Sequence, residues 1–256
     1  SARALPVSSG CTIEHIIVTR DRLTEDALVE RPAVELLAAL GWATVSAYDE
    51  VFGDDGTLGR DSRGEVVLHH RLREAVARLN PEAPEAAREE ALGAILRDRS
   101  LMDPTRANRE VYDLLRDGYL ATWQEGGEEL AARVTFVDWR DPGRNEWLAA
   151  SQVWLKPDLW TRRVDLVLYV NGIPLVLMEF KRRSVQAAYD DNLTDYRDTI
   201  PQLFVPLGLV ILSNGSDARV GAPLAPWGQF GAWKRIDAEG TRGRVELETA
   251  IRGTCE

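Results

Sequence analysis

The 256-residue sequence predicts an α/β or α+β domain in which helices come first and a sheet follows. Apolar residues recur at helical spacing as far as Gly118, and from Tyr119 onward short apolar runs bounded by turn residues replace them. One further helical stretch lies between the last two strand-like runs, where it must pack on the sheet. With 45% hydrophobic and 28% charged residues, the chain is long enough to build its own core.

The first ten residues, SARALPVSSG, carry no pattern, and 1–20 is read as a loose segment. Thr24 to Leu40 reads as an amphipathic helix: Thr24, Glu25 and Asp26 suit its first turn, Leu28, Val29, Val34, Leu36, Leu37 and Leu40 form a stripe, Pro32 interrupts it and Gly41 closes it. Trp42 to Ser46 reads as a short strand. Phe52 to Gly64 is a loop whose FGDDGTLG string lacks the lysine and the strand-to-helix setting of a phosphate cradle. Helices are expected over Val66–Asn80, Pro84–Arg99 and Thr105–Leu115. Strands are expected over Tyr119–Trp123, Ala131–Trp139, Trp147–Leu155, Arg163–Val170, Pro174–Phe180 and Leu207–Leu212, with a helix over about Ala187–Thr199 that Pro201 ends. No repeat, low-complexity tract or linker divides the chain.

No apolar run reaches the ~18 residues of a membrane span, and no signal peptide is recognisable. A soluble, cytoplasmic protein is expected, and Cys11 and Cys255 are too isolated for a disulfide framework or a zinc site. The net charge of −10, from 41 acids and 31 bases, argues against binding nucleic acid by bulk electrostatics. Of those bases only Lys156, Lys181 and Lys234 are lysine, so a lysine here carries more information than usual.

The chemistry concentrates in RRVDLVLYVNGIPLVLMEFKRRS, residues 162–184. Two apolar strands flank Asn171-Gly172, a strong hairpin signal, and each ends in charge: Asp165 on one, Glu179 and Lys181 on the other. Charges at the ends of buried strands are costly unless paired with each other or held by an ion. A two-residue Asn-Gly turn pairs Val170 with Ile173 and sets Asp165 opposite Met178, on the wrong face for Glu179. A three-residue loop or a bulge sets Asp165 opposite Glu179. The expectation is therefore that the simple two-residue hairpin does not form. Two adjacent carboxylates and the Phe180 backbone carbonyl make a hard oxygen site suited to Mg²⁺, and a neighbouring lysine can orient an attacking water or stabilise developing phosphorane charge. The other reading of the same three residues is a structural ion pair.

The spacing D-x13-E-x-K resembles that of the PD-(D/E)xK nuclease superfamily. The longer string RVDLVLYVNGIPLVLMEFK resembles the N-terminal nuclease domain of the R (motor) subunit of type I restriction enzymes. The likeness extends through TEDALVERPAVELLAALGW, LREAVARLNPEAP, ANREVYDLLRDGY, FVDWRDPGRNEW as far as Gln152, and DYRDTIPQLF with VILSNGSDARVG. It implies a restriction-endonuclease-like mixed central sheet flanked by helices, with an endonuclease domain over 21–240 (helix-rich to 118, sheet core from 119) and 241–256 beginning a connector to motor domains. It also implies Asp165, Glu179 and Lys181 as catalytic residues, with Asp165, Glu179 and the Phe180 carbonyl as Mg²⁺ ligands.

Glu30 corresponds to a helix carboxylate that some relatives add to the metal; the alternative is an exposed or ion-paired acid. RecB-like members carry Q-x-x-x-Y after the lysine, matched here by Asn192 and Tyr196. Tyr196 reads equally as a packing aromatic, and Asn192 is one methylene shorter than the usual glutamine. Val164 replaces a proline that only stiffens the strand entrance. Arg162, Arg163, Arg182 and Arg183 bracket the triad and are assigned to DNA phosphates, the alternative being ordinary strand-end side chains. His69 and His70 are read as helix surface, and Trp154 and Trp160 as packing residues near the site.

The activity implied is Mg²⁺-dependent cleavage of double-stranded DNA after ATP-driven translocation. ATP would serve only the full-length subunit, since this chain has no G-x4-G-K-[ST] motif. The implied partners are DNA, the specificity and methyltransferase subunits, and motor domains in cis, with no membrane. A stand-alone RecB-like nuclease, or a docking module between motor and methyltransferase core, is the alternative.

Overall fold

The computed structural model describes residues 29–256. A helix, α1, covers 29–39 and packs Ala33 and Leu37 into the core; the N-terminal part of the expected first helix and the 1–20 segment lie outside the described residues. Helices α2 (His69–Leu79), α3 (Glu85–Leu96) and α4 (Pro104–Asp117) follow as the periodicity predicts. The central sheet has six strands: β1 (Ala43–Ser46), β4 (Trp147–Leu155), β5 (Arg162–Val170), β6 (Ile173–Phe180), β7 (Leu209–Ser213) and β8 (Ala218–Gly221), in the order β1-β4-β5-β6-β7-β8. Only the β1–β4 and β6–β7 pairs are parallel, so the sheet is mixed.

Two strands predicted for that sheet do not join it. β2 (Tyr119–Glu125) and β3 (Glu128–Val134) pair only with each other, through the Gly126-Gly127 turn, and residues 135–139 are not strand. Two elements were not foreseen: β8, and helix α6 (Glu246–Cys255) in the stretch expected to begin a connector. The helix after β6, α5, runs as Val185–Ala187, a π-helical stretch Ala188–Leu193, and Thr194–Thr199.

Strands β5 and β6 are buried on both faces, as their continuous apolar character requires. Leu166, Leu168, Val176 and Met178 enter one core with α1 to α4, β2, β3 and α6. Val167, Tyr169 and Leu177 enter a second, under Ala188, Tyr189, Leu193 and Tyr196 of α5. The second core is bordered by the 47–68 loop, which the buried Arg60 ties down. Its guanidinium pairs with Glu50 (2.7 Å) and donates to the carbonyls of Glu65 and Trp154. The loop thus has a structural role, consistent with its lack of phosphate-cradle features.

The two-residue Asn171-Gly172 turn does form, contrary to expectation. Both residues have positive φ (52° and 79°), as this turn demands, and Val170 pairs with Ile173. A bulge then slips the register by one: Tyr169 pairs with Pro174, but Leu168 pairs with Val176 and Leu166 with Met178. Pro174 has no N–H to give a ladder, which is why a proline inside a central strand marks such a slip. Glycine is required at 172, because an added Cβ would lie 2.7 Å from the Leu68 carbonyl of the adjoining α2 entrance.

Asn171 also anchors the turn. Its buried amide donates to the Phe136 carbonyl (2.9 Å) and to Asn145 Oδ1 (2.8 Å), while its Oδ1 accepts from the Glu146 N–H (2.8 Å) and Arg78 (3.2 Å). All its hydrogen-bonding capacity is thereby used.

Candidate active site

The site lies where β5 and β6 part. Leu166↔Met178 is the last ladder pair, so the slipped register brings Asp165 opposite Glu179, and opposed residues share a face. Beyond it the side chains take the place of ladder carbonyls. Glu179 Oε1 accepts the Asp165 N–H (3.0 Å), and Asp165 Oδ2 accepts the Phe180 N–H (2.9 Å). This reciprocal exchange fixes both carboxylates on rigid strands. N–H and C=O of one strand residue point to the same side, so the Phe180 carbonyl is turned toward β5 and the carboxylates.

Glu179 is fully buried, and Asp165 half-buried. Over Glu179 lies α5, from which the Asn192 amide donates to Oε2 at 2.5 Å, so the shorter side chain does reach. The Tyr196 hydroxyl sits 3.3 Å from the same oxygen and 3.0 Å from the Arg163 carbonyl. Tyr196 is thus both a packing aromatic and a neighbour of the carboxylate. The widened π-helical turn that carries Asn192 directly precedes the α-helical turn of Tyr196, a distortion common at functional sites.

Burial, and after it the Asp165 charge, pushes the Glu179 carboxyl well above the ordinary carboxylate range. The donors from Asn192, the Asp165 main chain and Tyr196 act in the opposite direction. Those partners of Glu179 are all neutral. A buried carboxylate beside a second one, with neutral donors only, is a donor set that a hard divalent cation suits. Among the described residues no group of three or more His, Cys, Asp and Glu side chains is arranged for a metal; the groups that would hold one here are the two carboxylates and the Phe180 carbonyl turned toward them, a small protein share. Mg²⁺, which keeps several waters, fits that small share.

Lys181 continues the β6 line, its N–H donating to the Ser213 carbonyl of β7 (2.9 Å). It lies directly beyond the end of β6, two residues after Glu179.

A family model described as the type I restriction enzyme R protein N terminus (HSDR_N) matches residues 22–229. The chain belongs to this family. It is 31% identical over 237 residues to the type I restriction enzyme HindI endonuclease subunit of Haemophilus influenzae, an alignment covering 89% of this chain and 22% of that protein. It is 26% identical over 242 residues to the putative type I restriction enzyme MjaIXP endonuclease subunit of Methanocaldococcus jannaschii, with the same two coverages of 89% and 22%. A shorter match, 27% over 127 residues, is to the SsaAORF53P endonuclease subunit of Staphylococcus saprophyticus; it covers 49% of this chain and 12% of that protein. The chain therefore spans about a fifth of the two longer matches (22%). The mixed sheet between helical layers agrees with the restriction-endonuclease-like fold that the R-protein resemblance implies.

Around the carboxylates of this R-protein N-terminal domain, the remaining candidates divide. Glu30 is buried and accepts from the Gln152 amide, so it is not an exposed helix acid, and among the described residues it belongs to no group of three or more His, Cys, Asp and Glu arranged for a metal. Arg162 is held by Asp195 through both Nε and Nη2 and lies over Trp160. Arg163 lies over Tyr48 and Trp154, while Arg182 and Arg183 are exposed. Trp154 also receives Arg63, and Trp160 is more than half exposed. His69 and His70 sit on the α2 surface beside Glu65, Asp54 and Glu74, as expected. Sequence reasoning passed over Gln152, and read Asn171 as a turn residue without its fourfold-bonded side chain. Pro174 was the available sign of the bulge. No helix among the described residues is long and apolar enough to cross a membrane.

Proposed function

We propose that this R-protein N-terminal domain is a nuclease that hydrolyses phosphodiester bonds of double-stranded DNA, with Asp165, Glu179 and the Phe180 carbonyl holding Mg²⁺ and Lys181 completing the site. The observation that carries the reading is the reciprocal hydrogen bonding that locks Asp165 and Glu179 side by side at the end of two buried strands. When bound there, Mg²⁺ supplies Lewis-acid polarisation of a phosphate oxygen.

The chain's own residues do the rest. Asn192 and Tyr196 hold the Glu179 carboxylate against rotation, and the strand main chains hold both acids. The Lys181 ammonium orients an attacking water and offsets charge that develops on the phosphorus oxygens. Arg163, Arg182 and Arg183 meet backbone phosphates beside the cut, whereas Arg162 braces Asp195 on α5. An acidic domain with a local arginine cluster suits delivery to DNA by other parts of a larger assembly. Those parts are a translocating ATP-driven motor in cis, and specificity and methyltransferase subunits.

The test is cleavage by the reconstituted enzyme carrying Asp165→Ala or Lys181→Ala. Cleavage is expected to be lost while DNA-stimulated ATPase is retained; persistent cleavage by either variant refutes the assignment.

A further inference from the structure

β4 contains a residue whose conformation its own strand does not explain. Gln152 has φ 55°, the left-handed region, inside a strand that is otherwise extended. That conformation is disfavoured for any residue with a Cβ, and such strain concentrates at functional sites. The register Ser151↔Leu166 and Val153↔Val164 places Gln152 opposite Asp165. Gln152, Asp165 and Glu179 thus follow one another across β4, β5 and β6.

The Gln152 side chain is 6% exposed, and its Nε2 donates to Glu30 Oε2 on α1. Its Oε1 is buried and has no hydrogen-bond partner among the described residues. A buried acceptor without a donor calls for a reason. The group that holds its Nε2, Glu30, and the residue opposite it on β5, Asp165, are both carboxylates, which as anions offer acceptors and no proton. Water brought in by a hydrated cation has protons to give, and Mg²⁺ retains several such waters.

We propose that Gln152 is a positioning residue of the carboxylate site. Its Oε1 accepts a hydrogen bond from water that accompanies the divalent cation of Asp165 and Glu179, and Glu30 fixes the amide by holding Nε2. Glu30 then acts through Gln152 and is not itself a ligand. The left-handed backbone at 152 is what directs one amide toward both the α1 carboxylate and the strand of Asp165. The inference rests on the reading of Asp165 and Glu179 as the cation's ligands.

Calorimetric titration of the full 256-residue chain with Mn²⁺, alongside thermal melting, tests it. Gln152→Ala and Gln152→Gly should each weaken Mn²⁺ binding about tenfold or more, the usual loss when a group supporting a metal site is removed. Asp165→Ala should abolish binding. Glycine tolerates the left-handed backbone, so Gln152→Gly should melt above Gln152→Ala and remain readable if the alanine variant misfolds. Wild-type Mn²⁺ affinity in both Gln152 variants, with Asp165→Ala still deficient, overturns the role of Gln152 alone. Weakening in the alanine variant only shows that the backbone, not the amide, matters, and also overturns it. Undiminished binding by Asp165→Ala, or no binding by the wild type, overturns the underlying reading instead.

Discussion

Replacing Asn171 with alanine should be among the most destabilising single changes outside the apolar core. The amide makes four hydrogen bonds between 2.8 and 3.2 Å from a fully buried position. Arg78 and Glu146 lie near enough to solvent to recover water, and Asn145 Oδ1 retains the Asp138 N–H at 2.8 Å. The Phe136 carbonyl does not recover so readily. One or two groups left unsatisfied cost about 1–3 kcal/mol each. Alanine at φ 52° adds about 1 kcal/mol relative to asparagine, which tolerates that region. The sum is about 3–5 kcal/mol, or roughly 10 °C in Tm for a domain of this size. Asn171→Gly should recover about 1 kcal/mol of it by relieving the backbone. Asn171→Asp should recover little, because it presents an acceptor to the Phe136 carbonyl and Asn145 Oδ1. Differential scanning calorimetry of the four proteins reads this directly. An alanine variant melting within about 2 °C of the wild type, against the loss expected from such unsatisfied groups, refutes the argument.

Other outcomes follow from the same structure. Glu179→Gln removes a buried negative charge beside Asp165, and the Asn192 amide can flip to receive it, so in EDTA the variant should melt above the wild type and gain nothing from Mg²⁺. A lower Tm in EDTA counts against the like-charge account. Glu50→Gln leaves the buried Arg60 guanidinium uncompensated and should cost about 3–5 kcal/mol in urea unfolding; a loss below about 1 kcal/mol would show the pair to be replaceable. Burial pushes the Cys255 thiol up to about 11 from 9.0, so its stabilising contribution is complete below pH 9 and is lost as pH rises through about 11. In a Cys11→Ser background, iodoacetamide at pH 8 should modify folded Cys255 at least a hundredfold more slowly than in urea, and equal rates would contradict its burial.

The carboxylate pair was legible because charge at the end of two apolar strands has few inexpensive explanations, and the D-x13-E-x-K spacing named the residues. How the pair is brought together was less legible. β5 and β6 are apolar on both faces, so no polar alternation betrays a slipped residue, and the turn chemistry of Asn171-Gly172 is compatible with either register. Pro174 carried that information, through the N–H it lacks. β2 and β3 were assigned to the main sheet because strand patterning reports extended backbone and not its partner. The left-handed Gln152, the π-helical stretch of α5 and the Arg60–Glu50 pair depend on tertiary contacts between residues far apart in sequence or on backbone geometry. No local pattern announces them. In helix α6 the Leu247, Ala250 and Ile251 stripe is short, so the sequence gives little sign that this stretch packs into the core.

The central claim is that Asp165 and Glu179 bind one divalent cation where DNA is cut. Anomalous diffraction from crystals soaked in Mn²⁺ tests it most directly. A single strong peak about 2.1 Å from an oxygen of each carboxylate is the result expected of a hard octahedral site. No peak there, at a Mn²⁺ concentration that supports DNA cleavage by the assembled enzyme, would contradict the account.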